Sequence, residues 1–252
     1  MQTGDRTAQG AEIFSVTIET PDGRLPPAKV VVPHSPIGLA DLVPPMHGLC
    51  DGVVSLAVKK AAHKGNPTRC KAGCGVCCRQ MVPVSIPEAF FLWHETLLAE
   101  DGYSQLVNER FARTQAALER SGLWNTLENC TMGREQAAAA ADYWNLSIPC
   151  PYLADESCAI HPVRPCSCRE YNVYTDPEFC KQLLAYKVKR IGIHRKMTAA
   201  LSRTAADVLS AAPVLIPLAM IPQWCAAHAE LDQLRWDGPQ LFELMLYFAL
   251  KG

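Results

Sequence analysis

The chain has no excess of either charge: 24 Lys and Arg stand against 25 Asp and Glu, a formal net charge of −1. Nothing in that balance points to phosphate backbones or anionic lipid, and neither nucleic acid nor a membrane surface is an expected partner. It also lacks a long hydrophobic run. The longest, 211–221, is about half a membrane span and is broken by Pro213 and Pro217. No basic stretch followed by an apolar run opens the sequence, so no secretory signal is read there and a cytoplasmic protein is expected. No G-x-G-x-x-G loop follows a strand, which argues against an ordinary dinucleotide-binding fold. Internal repeats and low-complexity segments are missing as well.

What the chain does have is cysteine, 12 in 252 residues. In a reducing compartment clustered thiols are metal ligands or catalytic groups rather than a disulfide framework. Eight of them fall in two clusters. The first is Cys70-x3-Cys74-x2-Cys77-Cys78, with Gly73 and Gly75 as small spacers that let the backbone turn tightly. A Cys-x2-Cys step folds two thiolates toward one point, as in zinc and iron–sulfur sites. Adjacent cysteines such as Cys77 and Cys78 point in different directions and do not easily serve one tetrahedral ion together. Either one of them is a reactive or supporting thiol, or the site holds more than one metal atom.

The second cluster lies in CPYLADESCAIHPVRPCSCREY, residues 150–171, and supplies Cys150, Cys158, Cys166 and Cys168. Pro149 just before it and Pro151, Pro162 and Pro165 within it crowd the same stretch. No amphipathic helix or alternating strand fits it, so a bound metal is the simplest agent to hold it together. Arg164 and Arg169 either support a thiolate-rich site by charge and hydrogen bonds or make loop-fixing ion pairs. His161 reads as a surface loop histidine, with ligation the alternative. Cys50, Cys130 and Cys225 read as small core residues, and Cys180, near a helix start, is left open. The five tryptophans read as packing anchors.

The remainder predicts a mainly α fold with a small N-terminal β-hairpin and irregular cysteine-rich, metal-binding loops between helices. A tail over 1–10 precedes the hairpin of 12–19 and 28–32, which turns at Pro21-Asp22-Gly23. Helices are expected over 45–64, from Ser85 to about 99, then over 104–119, 133–146, 177–189, 195–211 and 239–250. Ser85 and Glu88 have the spacing of a capping box. Glu88 is thus first a helix N-terminal residue and only second a residue facing the site. The last helix, LFELMLYFAL, is expected to seal the chain's own core. Three segments result: 1–65 with the hairpin and first helix, 66–175 with the cysteine clusters, and 176–252 with the C-terminal helices, packed as one globular unit.

The pattern Cys70…Cys74-Gly75-Val76-Cys77-Cys78, then Cys150-Pro151-Tyr152-Leu153, then Cys158-Ala159-Ile160-His161-x-x-Arg164-Pro165-x-x-Cys168-Arg169-Glu170-Tyr171 resembles the CxxCxxCC, or YkgJ-type, cysteine-cluster family over about residues 66–175. That family is described as a zinc- or iron-chelating domain, with an iron–sulfur flagellin lysine methylase among its relatives. The resemblance implies Cys70, Cys74, Cys77, Cys78, Cys150, Cys158 and Cys168 as ligands, with Arg164, Arg169 and Glu88 accompanying them. Here the first step is Cys-x3-Cys, His161 stands where many members have tyrosine, and Cys166 is additional. The expected cofactor is an iron–sulfur cluster or iron, with a redox or catalytic role. A zinc-stabilised interaction module is the alternative, and a protein-lysine methylase the lesser one.

Overall fold

The computed structural model describes residues 10–129 and 134–251. The expected tail, apart from Gly10, and Cys130 lie outside the described residues.

Strands β1 (Ala11–Val16) and β4 (Ala28–Pro33) pair antiparallel, with Ala11 opposite Pro33 and Val16 opposite Ala28. Between them β2 (Glu19–Thr20) and β3 (Gly23–Arg24) form a tight reversal. This is the expected hairpin. Phe14, Val16 and Val32 are its buried side, and Phe14 packs on Phe242 at 4.9 Å between ring centroids. After a 3-10 turn at Leu39–Leu42, helix α1 (Val43–His63) starts with prolines in its first turn and ends with Lys60 and His63 in its last, as favoured at the two ends of the helix dipole. The chain then crosses the first cysteine cluster to β5 (Pro83–Val84) and α2 (Ile86–Leu98). Ser85 caps α2, and Glu88 returns the bond to the Ser85 backbone N–H at 2.9 Å.

Helices α3 (Asp101–Arg120), α4 (Leu123–Asn129) and α5 (Arg134–Asn145) follow. The second cluster spans the hairpin β6 (Leu153–Ala154) and β7 (Ser157–Cys158), a 3-10 turn at His161–Val163, and α6 (Cys166–Glu170). The expected helix over 177–189 is only one turn long, α7 (Pro177–Cys180). Beyond it Leu184 and Tyr186 are exposed and bring no core contact that would hold a longer helix in place. The chain must also come back at once so that Tyr174 N–H reaches Lys189 O at 3.1 Å and Ile191 N–H reaches Asn172 O at 2.8 Å. A helix of the expected length does not fit inside that closed loop.

Helix α8 (Met197–Val208) has no side-chain cap of its own. Glu170 supplies it, accepting from Met197 N–H at 2.6 Å. Strand β8 (Ile216–Pro217) pairs with β5, and Leu218 N–H reaches Val82 O at 2.8 Å. A 3-10 turn at Leu218–Met220 leads to α9 (Ile221–Ala227), α10 (Ala229–Asp232) and α11 (Gly238–Lys251). Helix α11 packs on α8 and β4 through Leu241, Phe242 and Met245, so it seals the chain's own core as expected. The buried apolar residues run as one cluster from Phe14 to Ala249, and Trp93, Trp124, Trp224 and Trp236 pack against it. Among the described residues the fold is mainly α, with two-stranded sheets only. Among the described residues no helix is long and apolar enough to cross a membrane.

Candidate metal centre

The first cluster is a loop pinned at both ends. At its start Arg69 N–H donates to Val173 O at 2.8 Å, and Val173 N–H reaches the Cys70 sulfur at 3.4 Å. Gly73 turns the chain at φ +78°, where an L side chain is strained. Gly75 is there for a different reason: a Cβ on it would lie 2.7 Å from Leu153 Cδ1 and 2.9 Å from the Glu156 carbonyl oxygen. The β6–β7 hairpin of the second cluster sits directly on it. A 3-10 turn at Val76–Arg79 then presents Cys77 and Cys78. Arg79 bridges back to Gly75 O at 3.0 Å and across to the Glu156 carboxylate.

The second cluster is fastened to the first by Cys150 N–H donating to Cys78 O at 2.6 Å. Arg110, on α3, donates to the carbonyls of Pro151 and Leu153 at 3.2 and 2.9 Å. Tyr152 is fully buried and shares a 2.7 Å hydrogen bond with Thr96. Asp155 and Glu156 turn the hairpin at φ +46° and +56°, which sets Cys158 opposite Leu153.

These attachments bring Cys74, Cys77, Cys78, Cys150, Cys158 and Cys168 to one cavity of about 140 Å³, with His161 and Arg164 on its wall. An adjoining cavity of about 220 Å³ is lined by Cys70, Cys74, Cys77, Cys168 and Cys180. Seven of the eight expected cysteines therefore line the two cavities. Cys166 does not; it is fully buried behind them, against Cys50 and Glu88. Cys180, left open from the sequence, joins Cys70 and Cys74. All the described cysteines are free thiols.

The thiols ionise unequally. The Cys78 thiol donates to Cys77 and holds it down at about 7 against the effect of burial, helped by the Arg164 guanidinium. The same bond pushes Cys78 up. Burial pushes Cys150 up to about 12 and raises Cys158 and Cys168, with neighbouring thiols adding to the shift. Buried thiols that share one cavity resist joint ionisation.

The two arginines divide the roles left open for them. Arg169 is buried and clamps the loop: Nε donates to Arg164 O at 2.8 Å, Nη2 to Pro162 O, and Nη1 to Asp51 at 2.7 Å. Arg164 lines both cavities, and its buried Nε has no hydrogen-bond partner. His161 is exposed on the rim; the neighbouring Arg164 charge, then burial, lowers its pKa.

No protein-family model, curated protein or solved structure matches the chain. Its chemistry therefore has to be read from its own residues.

A second group stands behind the cavities. Among the described residues, His47, Glu88 and Cys166 are the one set of three metal-ligating side chains whose ligand atoms all lie within 4.8 Å of one another. Glu88 is fully buried. Its Oε2 accepts from Ser85 Oγ at 2.7 Å and its Oε1 from Cys166 N–H at 2.7 Å, while burial raises its pKa. Burial, then the Arg169 charge, lowers His47 to about 4, so its imidazole is neutral near pH 7. The sequence reading missed His47. The signal was His47-x2-Cys50 on a predicted helix, a spacing that puts both side chains on one face.

Proposed function

We propose that the chain is an iron–sulfur protein of the cysteine-cluster type, with Cys77, Cys78, Cys150, Cys158 and Cys168 around the cluster and Cys74 at its edge. The observation that carries this reading is the spacing of the thiols. A single tetrahedral ion holds its thiolates about 3.8 Å apart, the edge of a tetrahedron whose metal–sulfur distance is ~2.3 Å. No three of these cysteines come within 4.8 Å of one another, yet six line one cavity of about 140 Å³. A polynuclear cluster places several atoms between its thiolates and suits that wider ring. The resemblance of the cysteine pattern to the YkgJ-type family supports the same reading.

When bound, the cluster would supply electron transfer or, at an iron with an open position, Lewis acidity. The chain's own residues hold and shield it. Arg164 offsets the negative charge of the thiolates, Arg169 and Glu170 fix the loop that carries Cys168, and Met81, Val82, Ile160 and Leu218 make one side of the cavity apolar. That apolar side would keep water from the cluster, which suits a redox or catalytic role.

The test is anaerobic purification followed by iron, acid-labile sulfide and visible absorption measurements. Iron, sulfide and a band near about 400 nm are expected, lost in Cys158→Ser and Cys168→Ser and kept in Cys225→Ser. Colourless protein with zinc in place of iron would overturn the proposal and leave the zinc-stabilised module standing.

A further inference from the structure

We propose that His47, Cys50, Glu88 and Cys166 form a second, closed metal site that takes one divalent cation of the zinc class, separate from the cysteine-lined cavities. The four residues come from α1, the start of α2 and the start of α6, and each is buried, with exposures of 7%, 1%, 0% and 0%. His47, Glu88 and Cys166 already have their ligand atoms within 4.8 Å of one another. Zinc with mixed nitrogen, oxygen and sulfur donors needs separations of about 3.3–3.8 Å, so side-chain shifts on the order of an ångström bring these three around one ion. Cys50 stands outside that close trio but adjoins it, with its sulfur 4.0 Å from the Cys166 carbonyl oxygen and its thiol hydrogen-bonded to that of Cys166, and would turn in as the fourth donor.

Helix capping explains part of this arrangement. It accounts for the bonds from Ser85 and from Cys166 N–H to Glu88. It does not account for the rest. His47 Nε2 is buried and finds no hydrogen-bond partner, a state that folded proteins avoid. The Cys166 thiol and the His47 imidazole lie within 4.8 Å of a Glu88 carboxylate oxygen and of each other. An imidazole, a carboxylate and two thiolates form a borderline-soft donor set suited to zinc. With four protein ligands the coordination is closed, so the ion is structural. It ties α1, α2 and α6 together two residues from Cys168 and so fixes one wall of the iron–sulfur cavity.

The test uses the full-length protein, grown with zinc and iron and purified without oxygen. About one zinc per chain is expected beyond the iron, as one four-ligand shell requires. The zinc should persist in Cys158→Ser, which empties the cavity site, and its affinity in competition with a chelating dye should fall at least about tenfold in His47→Leu and Cys50→Ala, the order seen when ligand support is lost. Unchanged zinc content and affinity in those two variants would overturn the proposal, as would a wild-type chain that binds no zinc outside the cavity cysteines. If the variants do not fold, X-ray absorption at the zinc edge of Cys158→Ser decides. A mixed nitrogen/oxygen and sulfur shell supports the site, and an all-sulfur shell overturns it. Should the cavities hold zinc instead of iron, the His47→Leu loss still reads this site alone.

Discussion

Gly75→Ala should separate the assembly of the two clusters from ordinary folding. Gly75 has φ −89°, a conformation alanine adopts without strain, so any effect must come from contact. The added methyl would lie 2.7 Å from Leu153 Cδ1 and 2.9 Å from the Glu156 carbonyl oxygen, whereas ordinary contact begins at 3.4 Å. The leucine can rotate away. The carbonyl is backbone, so the β6–β7 hairpin must retreat by at least 3.4 − 2.9 = 0.5 Å. Cys158 sits on that hairpin opposite Leu153 and moves with it. Overpacking of this kind costs about 1–3 kcal/mol, which would lower the urea midpoint by roughly 0.3–1 M. Iron and sulfide per chain should fall along with stability. The comparison is Gly73→Ala. There φ is +78° but the nearest atom, Ser157 Oγ, is 4.0 Å away. It should cost about 1–2 kcal/mol in backbone strain and leave the metal content intact. A Gly75→Ala protein with wild-type iron, sulfide and urea midpoint would refute the reasoning.

Arg169→Ala leaves the Pro162 and Arg164 carbonyls without their donor, so it should destabilise by about 2–4 kcal/mol in urea titration. Asp51→Asn, at the more exposed end of the same pair, should cost under about 1 kcal/mol. In iron-free protein Cys77 should be the first thiol alkylated by iodoacetamide. Its rate should rise with pH through about 7, because the thiolate is the nucleophile. Cys78→Ala removes the donor and should move that midpoint upward, as read by mass spectrometry of the labelled peptide.

Most of the helices and the N-terminal hairpin were legible because they rest on local chemistry. Pro44 and Pro45 at a helix start, the Ser85–Glu88 box and the turn at Gly23 act within a few residues. The helix expected over 177–189 failed because its fate depends on Asn172 and Val173 pairing with Arg190 and Ile191, and local propensity does not report a ladder closed by another part of the chain. The β5–β8 pair escaped notice for the same reason: its strands stand far apart in sequence.

For the site, the sequence by itself determined that thiols gather in two groups and that the loops carrying them cannot pack alone, because residue type and spacing fix both. Which thiols face one another was decided only in three dimensions. Cys166 and Cys168 are two residues apart, yet one faces Glu88 and the other the cavity. On the short helix α6, two residues apart means nearly opposite faces, and only the packing of α1 and α2 against it selects which face is which. Cys180 and His47 come to their groups by the folding of distant segments. Their roles depend on contacts that a linear spacing does not encode.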